Sequence, residues 1–227
     1  MKFAATFTAA ALFAVPMVSE AVVVAYWNFN TLTTSTNNGT SYSPSSGAGS
    51  LTVGVAASDN AGTNRGINAF AGTTTNALNS DPSGQALTIQ GGALETTTPV
   101  QNNGATIVIQ VDLTGLENPI LSFASQRTGT GFNSNQVAYS TTGSSYTDFG
   151  SAYNPGTSFG STIYSFDFST IDALDGVATA YFRITLTGAT SNAGNNRIDN
   201  IQINAVPEPG FALLGSLGIL GIFRRRR

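Results

Sequence analysis

Apolar residues in the middle of this 227-residue chain recur at every second position. Ile107, Ile109, Val111 and Leu113 fall on one face, and Val108, Gln110 and Asp112 on the other. Ala180, Phe182, Ile184 and Leu186 alternate with Tyr181, Arg183 and Thr185, and Thr162, Tyr164, Phe166 and Phe168 alternate with Ile163, Ser165 and Asp167. Successive side chains of an extended strand leave on opposite faces, so a period of two specifies half-buried strands, where a helix would repeat every 3.6 residues. Shorter runs of the same character lie at Val22 to Phe29, Leu51 to Ala56, Ala86 to Gln90, Ile120 to Ala124, Gln136 to Tyr139 and Ile198 to Ile203. Turn formers separate them, as in Asn102-Asn103-Gly104, Thr142-Gly143 and Asn154-Pro155-Gly156. No amphipathic helix stands out, and Ile171 to Leu174 is long enough for one turn. Many short strands without helices predict an all-β, antiparallel β-sandwich body of jelly-roll type. Thr31 to Gly49, nearly all Thr, Ser, Asn and Gly, reads as a mobile loop.

The two ends differ from the body. Lys2 precedes an uncharged apolar stretch from Phe3 to Val18, and Ser19-Glu20-Ala21 places small residues where a signal peptidase inspects the chain. Residues 1–21 read as a signal peptide whose apolar segment forms a helix and which is cut after Ala21. At the other end Val206-Pro207-Glu208-Pro209-Gly210 leads into an uncharged run from Phe211 to Phe223 and then Arg224, Arg225, Arg226 and Arg227. Two close prolines stop a strand and predict an extended, exposed segment. A helix over the apolar run would be only ~20 Å long against a ~30 Å hydrocarbon layer. Arginine stems snorkel and a cationic end stays cytoplasmic, so the run predicts a short transmembrane helix with the body outside. Gly215, Gly218 and Gly221 recur at every third position, which favours close helix contact.

The order Pro-Glu-Pro, apolar helix, basic cluster resembles the PEP-CTERM sorting signal of bacteria. The resemblance covers about the last tenth of the chain. It implies that an exosortase, a membrane protease-transpeptidase, recognises Pro207, Glu208 and Pro209 and processes the tail during export. It also implies an association with extracellular polysaccharide and biofilm matrix. The domain organisation that follows is a signal peptide (1–21), a sandwich body (22–205) and a sorting segment (206–227).

Composition excludes several chemistries. The chain has no His and no Cys, so it lacks a Ser-His-Asp triad, a cysteine nucleophile, a disulfide and the usual zinc ligands. A metal would have to be a hard, oxygen-bound cation such as calcium. The body keeps four cations, Arg65, Arg127, Arg183 and Arg197, against ten acids. That balance argues against nucleic acid and suits solubility outside the cell.

Candidate site residues lie mainly in one motif. Gly194-Asn195-Asn196-Arg197-Ile198-Asp199-Asn200-Ile201 runs from a turn into the last strand, and the apolar phase slips between Ile198 and Ile201, as at a β-bulge. The stretch resembles the terminal strand of secreted jelly-roll domains of bacterial surface proteins, several of them carbohydrate-binding-like. Either Asp199 helps hold calcium or a sugar hydroxyl, or Asp199 and Arg197 pair with backbone or each other; surface acids are usually solvated or paired, which favours the second. Asp167, Asp172 and Asp175 cluster in a turn-rich stretch without the EF-hand spacing, leaving loop-bound calcium as a further reading. Trp27 reads as buried in the first strand rather than stacked on a sugar. Tyr42, Tyr146 and Tyr153 are candidate exposed rings. Glu95 and Glu117, the only glutamates of the body, sit beside turns and read as solvated. Asn38-Gly39-Thr40 matches a glycosylation sequon common by chance in such a composition. The sequence therefore points to a non-enzymatic exported surface or matrix protein. A carbohydrate-binding module is the first alternative, and a carboxylate-based glycoside hydrolase or lyase the second.

Overall fold

The computed structural model describes residues 20–33, 41–56, 66–92 and 101–208. In chain order the strands are β1 (Val22–Trp27), β2 (Ser41–Tyr42), β3 (Ser46–Gly47), β4 (Ser50–Gly54), β5 (Ile67–Ala71), β6 (Gln85–Gln90), β7 (Ala105–Val111), β8 (Leu116–Arg127), β9 (Ser134–Ser140), β10 (Thr147–Tyr153), β11 (Tyr164–Asp167), β12 (Ala180–Thr187) and β13 (Asn195–Pro207). They form two antiparallel sheets. One has the order β11-β8-β13-β1-β3, with β6 and β5 branching from β13; the other has the order β10-β9-β12-β7-β4-β2. Among the described residues the helical elements are two 3-10 turns, Leu78–Ser80 and Asp172–Leu174, and no helix is long and apolar enough to cross a membrane. The predicted signal helix and the tail helix over 211–223 lie outside the described residues.

The alternating segments pack as their phase dictates. On β12 Ala180, Phe182, Ile184 and Leu186 are fully buried while Tyr181, Arg183 and Thr185 are half-buried on the outer face. The facing sheet contributes Trp27, Leu121, Phe123, Ile198, Ile201 and Ile203 to the same core. Phe168, just past β11, plugs the gap between the sheets, its ring centroid 4.2 Å from Phe149 and 4.9 Å from Phe182.

The described part of Thr31 to Gly49 departs from the loop expectation; residues 34–40 lie outside the described residues. Ser41–Tyr42 adds to β4 and Ser46–Gly47 adds to β1. These pairings are made by backbone groups, which a polar sequence supplies as well as an apolar one. Gly47 (φ +79°) allows the approach, since a Cβ there would stand 2.7 Å from the Val24 carbonyl carbon.

β13 is the spine of its sheet. It pairs with β8 along its length, while its other edge is shared by β6 and β1. Asp199 and Gln202 pair with Ala124 and Ser122 of β8, so two residues of β13 oppose one of β8. This is the bulge that the phase slip predicts. The strand also continues to Pro207, two residues into the predicted sorting segment. A proline at a strand end leaves few ladder bonds unmade. Pro207 and Glu208 are accordingly half-buried rather than exposed.

Candidate functional site: a polar cap, an oxygen cradle and a hydroxyl-lined cleft

The bulge swings Asn200 into a left-handed conformation (φ +52°), which Asn tolerates better than most residues. Its amide then faces the outer side of the sheet and holds the segment Gly72–Asp81. Asn200 Nδ2 donates to the carbonyls of Thr73 (2.8 Å) and Thr75 (2.9 Å), and its Oδ1 accepts the Tyr26 hydroxyl at 2.7 Å. Asn76 Nδ2 donates to Asn200 O (2.7 Å) and Ser122 Oγ (3.2 Å), and Gln202 Nε2 donates to Asn76 O at 2.6 Å. Burial pushes the Tyr26 hydroxyl up to about 12, with nearby Asp81 acting in the same direction.

Asp199 is fully buried beneath this cap. Its Oδ2 accepts the Thr73 amide at 2.8 Å and its Oδ1 the Asn200 amide at 2.9 Å. Burial pushes its carboxyl up to about 7 despite those bonds, and Asp81 adds to the rise. Arg197 does not neutralise it; its guanidinium donates to Ala71 O and lies over the Phe70 ring, 5.1 Å from the centroid. Three oxygens converge instead. Asp199 Oδ2, Ser83 O and Gln85 O all crowd the point that a Cβ on Gly72 would occupy, the farthest of them, Gln85 O, 2.8 Å away. Gly84, whose carbonyl accepts the Gly72 amide at 3.1 Å, packs against Asn30 Oδ1. That Asn30 oxygen is buried and has no hydrogen-bond partner. The Asp199 carboxylate and the Ser83 and Gln85 carbonyls are thus brought together against Gly72, all three hard oxygens of the class calcium takes.

The other predicted ligands do not join it. Asp167 Oδ1 accepts the Ser169 amide, Asp175 Oδ1 accepts the Asn118 amide, and Asp172 opens the second 3-10 turn. Among the described residues no group of three or more acidic side chains could hold a metal. Glu117 lies on β8 opposite Val206; Glu95 and Asn38 lie outside the described residues. Asn30, Ser83 and Gln85 carry no legible signal in the sequence, because two of the donors are backbone groups.

Next to the cap, the chain leaving β1 borders a cleft of about 300 Å3. Trp27 is buried, as its strand position predicts, and its Nε1 donates to Tyr42 O at 3.0 Å. Phe29 and Tyr42 meet edge to face at 6.0 Å. Ser41, Ser43, Ser45, Thr31 and Thr33 supply hydroxyls, and among the described residues no charged side chain lines the walls. Asn28 ties cleft to cap: Ser45 Oγ donates to its Oδ1 (2.8 Å) and its Nδ2 donates to Asp81 Oδ2 (2.6 Å). Phe29 has φ +51°, a left-handed conformation rare for a bulky residue and of the kind that gathers at ligand sites. A second hollow, of about 340 Å3, is lined by Ala48, Gly49, Ser50 and Gln110 and lacks aromatic walls.

The candidate exposed tyrosines are half-buried. Tyr153 stacks with Tyr164 (4.8 Å) and Phe123 (5.8 Å), and its enclosed hydroxyl, without a partner, is pushed well above its usual range by burial. Tyr146 carries the Arg183 guanidinium 4.0 Å above its ring.

No family and no curated protein matches the chain. Among solved structures it is similar to an adhesin domain, K3, of Lys-gingipain from Porphyromonas gingivalis. There the identity is 14%, the coverage 82% of this chain and 99% of that one, and the TM-score 0.45. A carbohydrate-binding module of Cellvibrio mixtus lichenase 5A, solved with cellotriose, is 12% identical, with coverage of 81% and 98% and a TM-score of 0.37. The enzymatically active domain of tailspike protein 4 from bacteriophage CBA120 is 12% identical with a TM-score of 0.42; 69% of this chain matches, spanning 19% of the tailspike chain.

Proposed function

We propose that this chain is an exported, non-enzymatic surface or matrix module that binds neutral carbohydrate in the cleft beside Trp27. The observation that carries the reading is the lining: the half-buried Tyr42 ring and five hydroxyl side chains around a hollow of about 300 Å3, with no charged side chain among the described residues. Such walls match a polyhydroxylated ligand with apolar ring faces and discriminate against ions, which would lose their hydration there without a partner. The oxygen cradle at Asp199 holds calcium in a structural role, fixing the cap to which Asn28 links the cleft. One carboxylate gives an affinity in the range of extracellular calcium modules, Kd about 10⁻⁴–10⁻³ M.

The cleft reading is tested with the body on an array of neutral glycans. The strongest binder should lose about tenfold in affinity in Tyr42→Ala, since an aromatic wall contributes on the order of 1 kcal/mol beyond its area. Trp27 still finds its acceptor, because that acceptor is the backbone carbonyl of residue 42. An array without a binder, or a variant that binds equally well, sinks it.

Delivery rests on the two ends. Signal peptidase cuts after Ala21, and an exosortase in the membrane takes the tail at Pro207, Glu208 and Pro209, while Arg224, Arg225, Arg226 and Arg227 stay on the cytoplasmic side. β1 begins at Val22, directly after the proposed cut, which supports this order of events. Removing residues 209–227 keeps the sheet pairing intact and should release the body to the medium. Retention of that truncated chain on the cell refutes the sorting role of the tail.

A further inference from the structure

The first two residues of the Pro-Glu-Pro motif belong to the sheet. Pro207 pairs with Leu116 at the start of β8. The Glu208 amide donates to Gly115 O at 2.9 Å. Its side chain lies over Gly176, where a Cβ would come within 2.7 Å of Glu208 Oε1. Gly176 in turn donates its own amide to Leu116 O at 2.8 Å, and the Asp175 carboxylate accepts the Asn118 amide at 2.8 Å. The exit of the chain is thus gripped by β8 and by the turn after Leu174. Gly115 (φ +71°) and Gly176 (φ +63°) make that grip possible, because both turns need left-handed backbone. On the far side of β13, Val22 pairs with Ala205, so the chain enters and leaves the sandwich side by side.

We infer that this end of the sandwich is a clamp that withholds Pro207 and Glu208 from proteolysis until the tip of β13 frays. A protease binds its substrate as an extended strand whose backbone groups it pairs itself. Here the Glu208 amide and the edge of residue 207 are already paired within the body. Cleavage at this point must therefore wait for local opening, a step whose frequency is set by the few contacts of a strand end. Given the sorting reading above, folding of the body sets the rate at which the tail is processed, and a body that opens at this end is processed first.

The test uses the full chain in detergent and a generic proline-specific endoprotease. The cut after Pro207 is compared with the cut after Pro155, a buried position of the connection between β10 and β11 that does not pair with the tip of β13. Inserting a six-residue Gly-Ser spacer between Val206 and Pro207 should raise the Pro207-to-Pro155 ratio at least tenfold. Gly176→Ala, which pushes on the Glu208 side chain, should raise it several-fold. A ratio unchanged by the spacer overturns the clamp, whether neither cut speeds up or both do. The sorting reading fails separately, if the natural chain is never processed in a host that carries an exosortase; the ratio does not depend on that enzyme.

Discussion

At pH 8, 10 mM calcium should raise the melting temperature of the body by about 3–10 °C, and at pH 5 by far less. The cause is Asp199, buried while the Arg197 guanidinium is turned to the Ala71 carbonyl instead. Its carboxyl is pushed up from 3.8 to about 7 by burial. A raised carboxyl pKa means that the metal-free fold prefers the protonated acid. In chelator the stability contributed by Asp199 is therefore complete below pH 4 and is lost as pH climbs through 7. Calcium replaces the proton and removes the cost of an unpaired buried charge. With Kd about 10⁻⁴–10⁻³ M, binding stabilises by roughly 1.4–2.7 kcal/mol at 10 mM, and each kcal/mol moves the midpoint of a domain this size by about 2–4 °C. Competition with protons makes the effect small at pH 5. Thermal melts in chelator and in calcium at both pH values measure it. Equal melting temperatures with and without calcium at pH 8 would falsify the cradle, and magnesium, which demands six near-octahedral ligands at shorter distance, should substitute poorly.

Asn200→Ala should cost about 3–5 kcal/mol, measured by urea unfolding with an unchanged m-value. The side chain makes three hydrogen bonds, to Thr73 O, Thr75 O and the Tyr26 hydroxyl. Removing it leaves two carbonyls and a phenol of the cap without those partners, at about 1–3 kcal/mol for each that stays dry. It also places alanine at φ +52°, which adds about 1 kcal/mol. Asn200→Gly separates the two costs: it relieves the backbone and loses the same bonds, so it should fall between the natural chain and Asn200→Ala. A loss under 1 kcal/mol for Asn200→Ala would mean that water substitutes for the amide and that the cap is not held by it. Because Asn28 connects Asp81 to the cleft, Asn200→Ala should also weaken glycan binding.

Much of this was legible in the chain. Strict alternation located β7, β11 and β12 because each buries one face only, and a one-residue slip would turn every apolar side chain to water. The slip in phase between Ile198 and Ile201 located the bulge in β13 for the same reason. Trp27 was placed in the core by its strand. What escaped was carried by backbone. β2 and β3 are two-residue polar segments that pair through amides and carbonyls. β5 and β10 contain too few alternating apolar residues to register as strands. β10 leaves mostly exposed positions at the sheet edge.

The sequence by itself determined that the body is all-β, which residues face the core, and that cysteine and histidine, the usual zinc ligands, are absent. These follow from side-chain type and spacing, which are local. Only the tertiary structure decided that the Asp199 carboxylate meets the Ser83 and Gln85 carbonyls at Gly72, that Phe29 and Tyr42 close a hydroxyl-lined cleft, and that Pro207 and Glu208 are still part of the sheet. Each of these joins residues far apart in the chain, and several act through main-chain atoms that every residue possesses. No pattern of side chains announces which carbonyls a fold will turn toward the same point.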